Sequence, residues 1–338
     1  MYSESELENF RHRLVSIRNM EKLPSEKAVF GQLESVIKIL KDESKKYRPR
    51  GKDKLPGGLL DFCGQKKDVV VVPDLHARPD FLIKLIDSKI NGTDVLTALN
   101  SGSLIVVCVG DGVHTETMGP CYDRWILSYK KWCDGNCVCP EMEAEMLDAF
   151  QTMGVVMELK KLFPESFHFL KGNHENVLNQ NCDGDHGFRK IAMEGQMVRD
   201  FLEEYYSEAT TYIISEFEHL LPVAAIFDRF GITHGEPYRV FGKKEIIDYH
   251  NHPEVILGFT WTDNGEANEG SVIGQFRELN RKGDAENCFW LGGHRHVPGK
   301  YLLRQDGVYI QFHNPTEMNV AWIHADGTFD LERDIFSV

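Results

Sequence analysis

Two runs of β-branched apolar residues, Asp68–Val72 (DVVVV) and Leu104–Val109 (LIVVCV), limit the folds open to this chain more than any other feature. Short apolar runs bounded by polar residues read as strands buried on both faces. Phe167–Leu170 is a third, weaker run. Helix-patterned stretches lie between and after them, at Phe81–Lys89, Glu141–Phe163 and Ala192–Glu218. Such alternation predicts βαβ units and a sheet with helices outside. After about Val223 strand-like runs dominate, at Ala224–Thr233, Cys288–Leu291, Tyr301–Arg304, Val308–Phe312 and Asn319–His324. Two packed sheets flanked by helices accommodate both halves, and no linker splits the chain into two catalytic units. A chain of 338 residues, 42% of them hydrophobic, buries a full core without staples.

The first 60 residues differ from the rest. Ser3 and Glu6 have capping-box spacing. Ala28, Phe30, Leu33, Val36, Ile37 and Leu40 recur at helical spacing. Arg48–Gly58 (RPRGKDKLPGG) is basic and broken by Gly and Pro, so it reads as a linker. The expectation is an N-terminal helical arm and linker over 1–60, followed by one main domain over 61–338. No apolar run approaches the ~18 residues of a membrane span. The opening MYSESELENF lacks a basic and then apolar leader, so the expected location is cytoplasmic. Lys plus Arg number 38 against 52 Asp plus Glu, a net charge of −14. That balance argues against a protein that grips nucleic-acid backbones. It leaves room for an anionic substrate, because bound divalent cations invert the charge locally.

Each core strand ends in a polar cluster. Asp74-Leu75-His76 follows the first run, and Gly110-Asp111 the second. Gly172-Asn173-His174-Glu175 follows FHFLK, and His234-Gly235 follows FGIT. Gly293-His294-Arg295-His296 follows CFWLG. Sites in open α/β sheets form outside the carboxyl ends of the strands. Taken singly, each cluster has an ordinary reading: His234 as a core histidine, Asn173 as a helix cap, the paired histidines as a surface turn. Taken together they are an inventory of metal ligands: two carboxylates, an amide oxygen and four imidazoles. Mixed nitrogen and oxygen donors suit Mn, Fe, Zn, Co or Ni better than Ca or Mg. Seven donors are too many for one tetrahedral ion and suit two ions sharing a carboxylate.

The ordered set D-x-H, G-D-x-x-H, G-N-H-E, His-Gly and G-H-x-H resembles the calcineurin-like metallophosphoesterase superfamily. Phe217–His234, Trp261-Thr262-Asp263 and Val308–Pro315 resemble its phosphoprotein phosphatase (Ser/Thr phosphatase) branch. The resemblance covers roughly Asp68 to Phe329. It implies a four-layer α/β/β/α sandwich of two mixed sheets, the metallo-dependent phosphatase fold. It also implies that Asp74, His76, Asp111 and His296 hold one cation. Asp111, Asn173, His234 and His294 would hold a second, with Asp111 bridging. His174 would bind no metal and would serve the leaving oxygen. The implied reaction is phosphomonoester hydrolysis by a hydroxide bridging the cations, on a phosphorylated substrate such as a phosphoprotein.

The sequence departs from that branch in places. Where an Asp-Arg pair is usual, it has His114 and Thr115. A second expected arginine is replaced within Asn268–Ser271 (NEGS). His114, Arg78 and Arg295 are the candidate substitutes for binding phosphate. Dinucleoside polyphosphate or nucleotide phosphodiester cleavage is the alternative reaction, and a metal-stabilised binding module the non-enzyme alternative. The interval of about 115–165 is a long insertion bearing Cys121, Cys133, Cys137 and Cys139, a candidate structural zinc site.

Overall fold

Period-two alternation along the central strands sorts their side chains into layers. The computed structural model describes residues 1–116, 120–280, 285 and 287–338, with the backbone alone for 120 and 121. Val69, Val71, Ile105 and Val107 share one apolar cluster with Ala225, Ile232, Leu291 and Ile310. Val70, Val72, Val106 and Cys108 point the other way, against Leu85, Leu96, Val155 and Leu159 from helices. On the second sheet, Ala224, Ile226, Trp290 and Tyr309 face Ile246, Phe259, Val272 and Phe276. One core lies between the sheets and one outside each of them, giving the expected helix, sheet, sheet, helix order.

The five-stranded sheet runs Ile335–Ser337, Asn319–Ile323, Asp68–Val72, Leu104–Cys108, Phe167–Phe169. Its last three strands are parallel and the others antiparallel. The six-stranded sheet runs Leu59–Asp61, Ala224–Ile226, Phe230–Thr233, Phe289–Gly292, Tyr309–Gln311, Leu302–Arg304, and is also mixed. Parallel neighbours joined through helices put the loops after Val72, Cys108 and Phe169 at one edge, where the polar clusters lie.

Several boundaries differ from the sequence expectation. Ala224–Thr233 is two antiparallel strands, with Ala225 opposite Ile232. Ala192–Glu218 is two helices, Glu194–Tyr205 and Glu208–His219. The break falls where Ser207 is extended at φ −166° and its hydroxyl donates to Glu26 of the arm. Here a contact between distant segments overrides local helical periodicity. Sequence reading also passes over Leu59–Asp61, a strand parallel to Ala224–Ile226.

The arm is part of the core. Helix Glu4–Arg18 begins at the Ser3–Glu6 capping box, and helix Glu26–Asp42 follows it. Leu14, Val29, Leu33, Val36 and Leu40 join the cluster beneath the five-stranded sheet. Arg48, expected on an exposed linker, is fully buried. It pairs with Glu43 and donates to the carbonyls of Gly57 and Leu220. Glu43 also takes Lys160 Nζ at 2.5 Å. A buried guanidinium needs such partners, because an unpaired buried charge is severely destabilising. Among the described residues no helix is long and apolar enough to cross a membrane.

Candidate metal centre

Two loops leave the sheet side by side. Past the strand ends His76 N donates to Asp111 O at 2.7 Å and Ala77 N to Gly112 O at 3.0 Å. The parallel pairing thus continues into the turns and sets Asp74 and His76 beside Asp111. The turns are tight: His76, Asp111, His114 and His294 have φ of 44°, 50°, 74° and 64°. Left-handed backbone at non-glycine residues is unfavourable and gathers at functional sites. Glu175 clamps the arrangement. Its carboxylate accepts from Asp111 N and Gly112 N at 2.9 Å and from Gly172 N at 2.7 Å. Gly293 allows close approach, since a Cβ there would lie 1.8 Å from Asp74 Oδ1. His294 N donates to Asp74 Oδ2 at 2.9 Å, tying the fifth motif to the first.

The imidazoles of His76 and His234 each turn Nε2 inward. A carbonyl only accepts, so His76 Nδ1–H donates to His114 O at 2.9 Å, which turns Nε2 toward the carboxylates. That Nε2 is buried without a hydrogen bond and lies 3.7 Å from Asp74 Oδ2 and 3.6 Å from Asp111 Oδ2. His234 Nδ1 similarly meets Val109 O at 3.2 Å. Its Nε2 faces Asn173 Oδ1 at 2.9 Å, His294 Nδ1 at 3.2 Å and Asp111 Oδ2 at 3.5 Å. Metal bonds of about 2.1 Å meeting at about 90–125° separate donor atoms by about 3.0–3.7 Å. The spacing fits cations, and outer hydrogen bonds of this kind orient metal-binding imidazoles.

Electrostatics agree with a centre designed for added positive charge. Burial pushes Asp111 well above its ordinary range, helped by Glu175 and Asp74. Burial also opposes ionisation of Asp74, yet His313, His234 and His76 hold it well below the usual carboxylate range. Adjacent carboxylates cannot both ionise cheaply without a counter-ion. Burial pushes His234 down to about 3, with His294 and His76 adding to it. His174 is also pushed well down, by burial and then by His114 and His76. Its ring stacks on Phe188 with centroids 4.2 Å apart, and its Nε2 lies 3.7 Å from Asp111 Oδ2.

His296 converges with Glu116 and His313, and the remaining expected residues occupy other places. His296 is at the edge, with Nε2 2.5 Å from Glu116 Oε2 and 3.1 Å from Lys190 Nζ. Arg78 does not stand ready to bind phosphate. Its guanidinium donates to the carbonyls of Asp74, Leu75, Asn314 and Glu317, which brace the loops. Arg295 pairs with Asp263 and stays half exposed. His114 is buried against His174, Trp125 and Phe188, with Nε2 3.6 Å from Glu194 Oε1. Cys137 donates to Glu204 Oε2 at 2.7 Å, and burial with that carboxylate pushes its thiol up to about 11, away from a zinc-binding thiolate. Among the described residues no converging ligand group contains a cysteine. The side chain of Cys121 lies outside them.

Sequence reading missed Glu116 and His313. Both are buried at the centre: Glu116 Oε2 lies 3.1 Å from His76 Nε2 and 3.1 Å from His313 Nε2. His313 carried a usable signal, because it too follows a strand, Tyr309–Gln311. Glu116 carried none, being one acid among many in loops.

No family model and no curated protein matches the chain. Among solved structures it is similar to a protein serine/threonine phosphatase from Saccharomyces cerevisiae with similarity to human phosphatase PP5. The TM-score is 0.52 at 15% identity, over 93% of this chain and 89% of that one. A cold-active protein-tyrosine phosphatase from a psychrophilic Shewanella aligns at TM-score 0.46 and 13% identity, over 80% of this chain and 81% of that one. With its two mixed sheets and flanking helices, the chain shares the metallo-dependent phosphatase fold of that serine/threonine phosphatase.

Proposed function

We propose that this protein is a dinuclear metal-dependent phosphoesterase that hydrolyses phosphomonoesters. The observation that carries the reading is the convergence of donor atoms from five separate strand-end loops, each within 2.9–3.7 Å of a neighbouring donor. Asp74, His76 and Asp111 would contribute to one cation. Asp111, Asn173, His234 and His294 would hold the other, with the Asp111 carboxylate shared. When bound, the cations would supply Lewis acidity toward the phosphoryl oxygens and the attacking water.

The protein's own groups do the rest. Glu175 fixes the Asp111 loop through three backbone N–H groups, so the shared carboxylate keeps its aim. His174 is packed flat on Phe188 with Nε2 toward the centre, placed to hold a proton for the departing oxygen. Lys190 and Arg295 are part-exposed at the edge, paired with Glu116 and Asp263. The shared fold with a serine/threonine phosphatase is consistent with a phosphoprotein substrate.

The test is hydrolysis of an aryl phosphate by Mn-loaded protein. Turnover is expected, and His174→Ala should lower kcat by about 10²–10⁴ with metal content unchanged. An inert loaded protein, or a fully active His174→Ala, would overturn the reading. Competing a phosphopeptide against diadenosine tetraphosphate then decides the substrate class.

A further inference from the structure

The ligand set implied by the resemblance completes the first cation with His296, a side chain 37% exposed. The geometry offers a better completion. We infer that Glu116 and His313 are ligands of the first cation, while His296 and Lys190 act one step outward by gripping the Glu116 carboxylate. The inference rests on the dinuclear reading and names residues beyond it.

Five atoms form the proposed cage: one oxygen each from Asp74, Asp111 and Glu116, and Nε2 of His76 and His313. His76 Nε2 is 3.1 Å from Glu116 Oε2, 3.6 Å from Asp111 Oδ2 and 3.7 Å from Asp74 Oδ2. His313 Nε2 is 3.1 Å from Glu116 Oε2 and 3.9 Å from Asp74 Oδ2. Bonds of about 2.1 Å meeting at about 90–140° span this range of separations. All five side chains are at most 5% exposed.

Three buried carboxylates need a positive centre. Among the described residues, Lys190 and His296 meet Glu116 from its outer side. Lys190 Nζ pairs with Oε1, and His296 Nε2 lies 2.5 Å from Oε2. Lys190 and His296 are the more exposed partners of this group, at 38% and 37%. Outer partners like these fix the direction of a ligating carboxylate. His313 follows the strand Tyr309–Gln311 by two residues, and its carbonyl accepts from Val297 N at 2.8 Å, which ties the backbone that carries the ring to the loop of the fifth motif. A cage of three carboxylate oxygens and two imidazoles favours an oxygen-preferring cation such as Mn or Fe at this position. The second position, richer in nitrogen, suits Zn equally.

The experiment uses the full chain, stripped with chelator, reloaded with Mn²⁺ and assayed by elemental analysis and Mn titration. Wild type should hold two ions per chain, and Glu116→Gln and His313→Ala one each. His296→Ala and Lys190→Met should still hold two, with the weaker-held ion bound about 10–100-fold less tightly. Circular dichroism checks folding; if Glu116→Gln is unfolded, Glu116→Asp replaces it and should bind the first ion measurably more weakly. Two ions at wild-type affinity in Glu116→Gln or Glu116→Asp and in His313→Ala would overturn the inference and leave the dinuclear reading intact. So would loss of one ion in His296→Ala. Wild type holding fewer than two ions would overturn both.

Discussion

Substituting Gly293 by alanine isolates one geometric demand of the centre. Gly293 has no positive φ, so alanine meets no backbone penalty there; the effect comes from one methyl group. That methyl would lie 1.8 Å from Asp74 Oδ1 and 3.2 Å from Oδ2. Restoring an ordinary contact of 3.4 Å requires a relative displacement of about 1.6 Å, shared between the turn and the carboxylate. Asp74 cannot retreat freely, because its oxygens take His294 N at 2.9 and 3.2 Å and it is fully buried. Overpacking of this kind costs about 1–3 kcal/mol. A misplacement of about 1 Å at a reacting centre costs about 10²-fold in rate. Gly293→Ala should therefore lose cation affinity and at least about 10²-fold in aryl phosphatase kcat/KM while remaining folded. Gly299→Ala is the control in the same loop: nothing lies within 4 Å of its Cβ, so stability and activity should stay at wild type. Calorimetry, Mn titration and steady-state kinetics read all three quantities. If Gly293→Ala keeps wild-type affinity and rate, Asp74 is not held where the cation needs it.

Three further perturbations test other parts of the molecule. Asp111→Asn removes the shared carboxylate and should lower occupancy of both cations by elemental analysis; retention of two ions would contradict sharing. Arg48→Ala breaks a fully buried pair with Glu43 and should cost about 3–5 kcal/mol in urea unfolding. A loss below about 1 kcal/mol would mean that the arm is not anchored there. Burial, only partly offset by Lys171, pushes Glu218 up to about 8. Its folded value exceeds the unfolded value of about 4.3, so its contribution is full below about pH 4.3. It is lost as pH rises toward about 8, at about 1.4 kcal/mol per pH unit. Glu218→Gln should flatten the pH dependence of the unfolding midpoint over that window; an unchanged slope would refute the assignment.

Much of the site was legible because the relevant signals are local. Val69 and Val70 face opposite cores by the geometry of any strand, so DVVVV announces a doubly covered strand without knowledge of its partners. The strand-end rule then places Asp74, Asp111, Asn173, His234 and His294 together at the strand ends, where their donor atoms meet. Other residues had no such signal. Arg78 sits inside the first motif and looked like a phosphate clamp, but the neighbouring carbonyls consume its donors. Arg48 reads as part of a basic linker, and only the packing of the arm brings Glu43 and the Leu220 carbonyl to it.

The amino-acid sequence alone determined the central strands, their two covered faces, the layer order and the kinds of donor at the strand ends. Backbone periodicity and side-chain chemistry are properties of a few consecutive residues. Only the tertiary structure decided which donors meet. His294 reaches Asp74 across 220 positions, and His313 reaches Glu116 across 197. Such meetings depend on sheet register and on the turns after each strand. A one-residue slip in register would turn each side chain to the opposite face, and no local pattern records that choice.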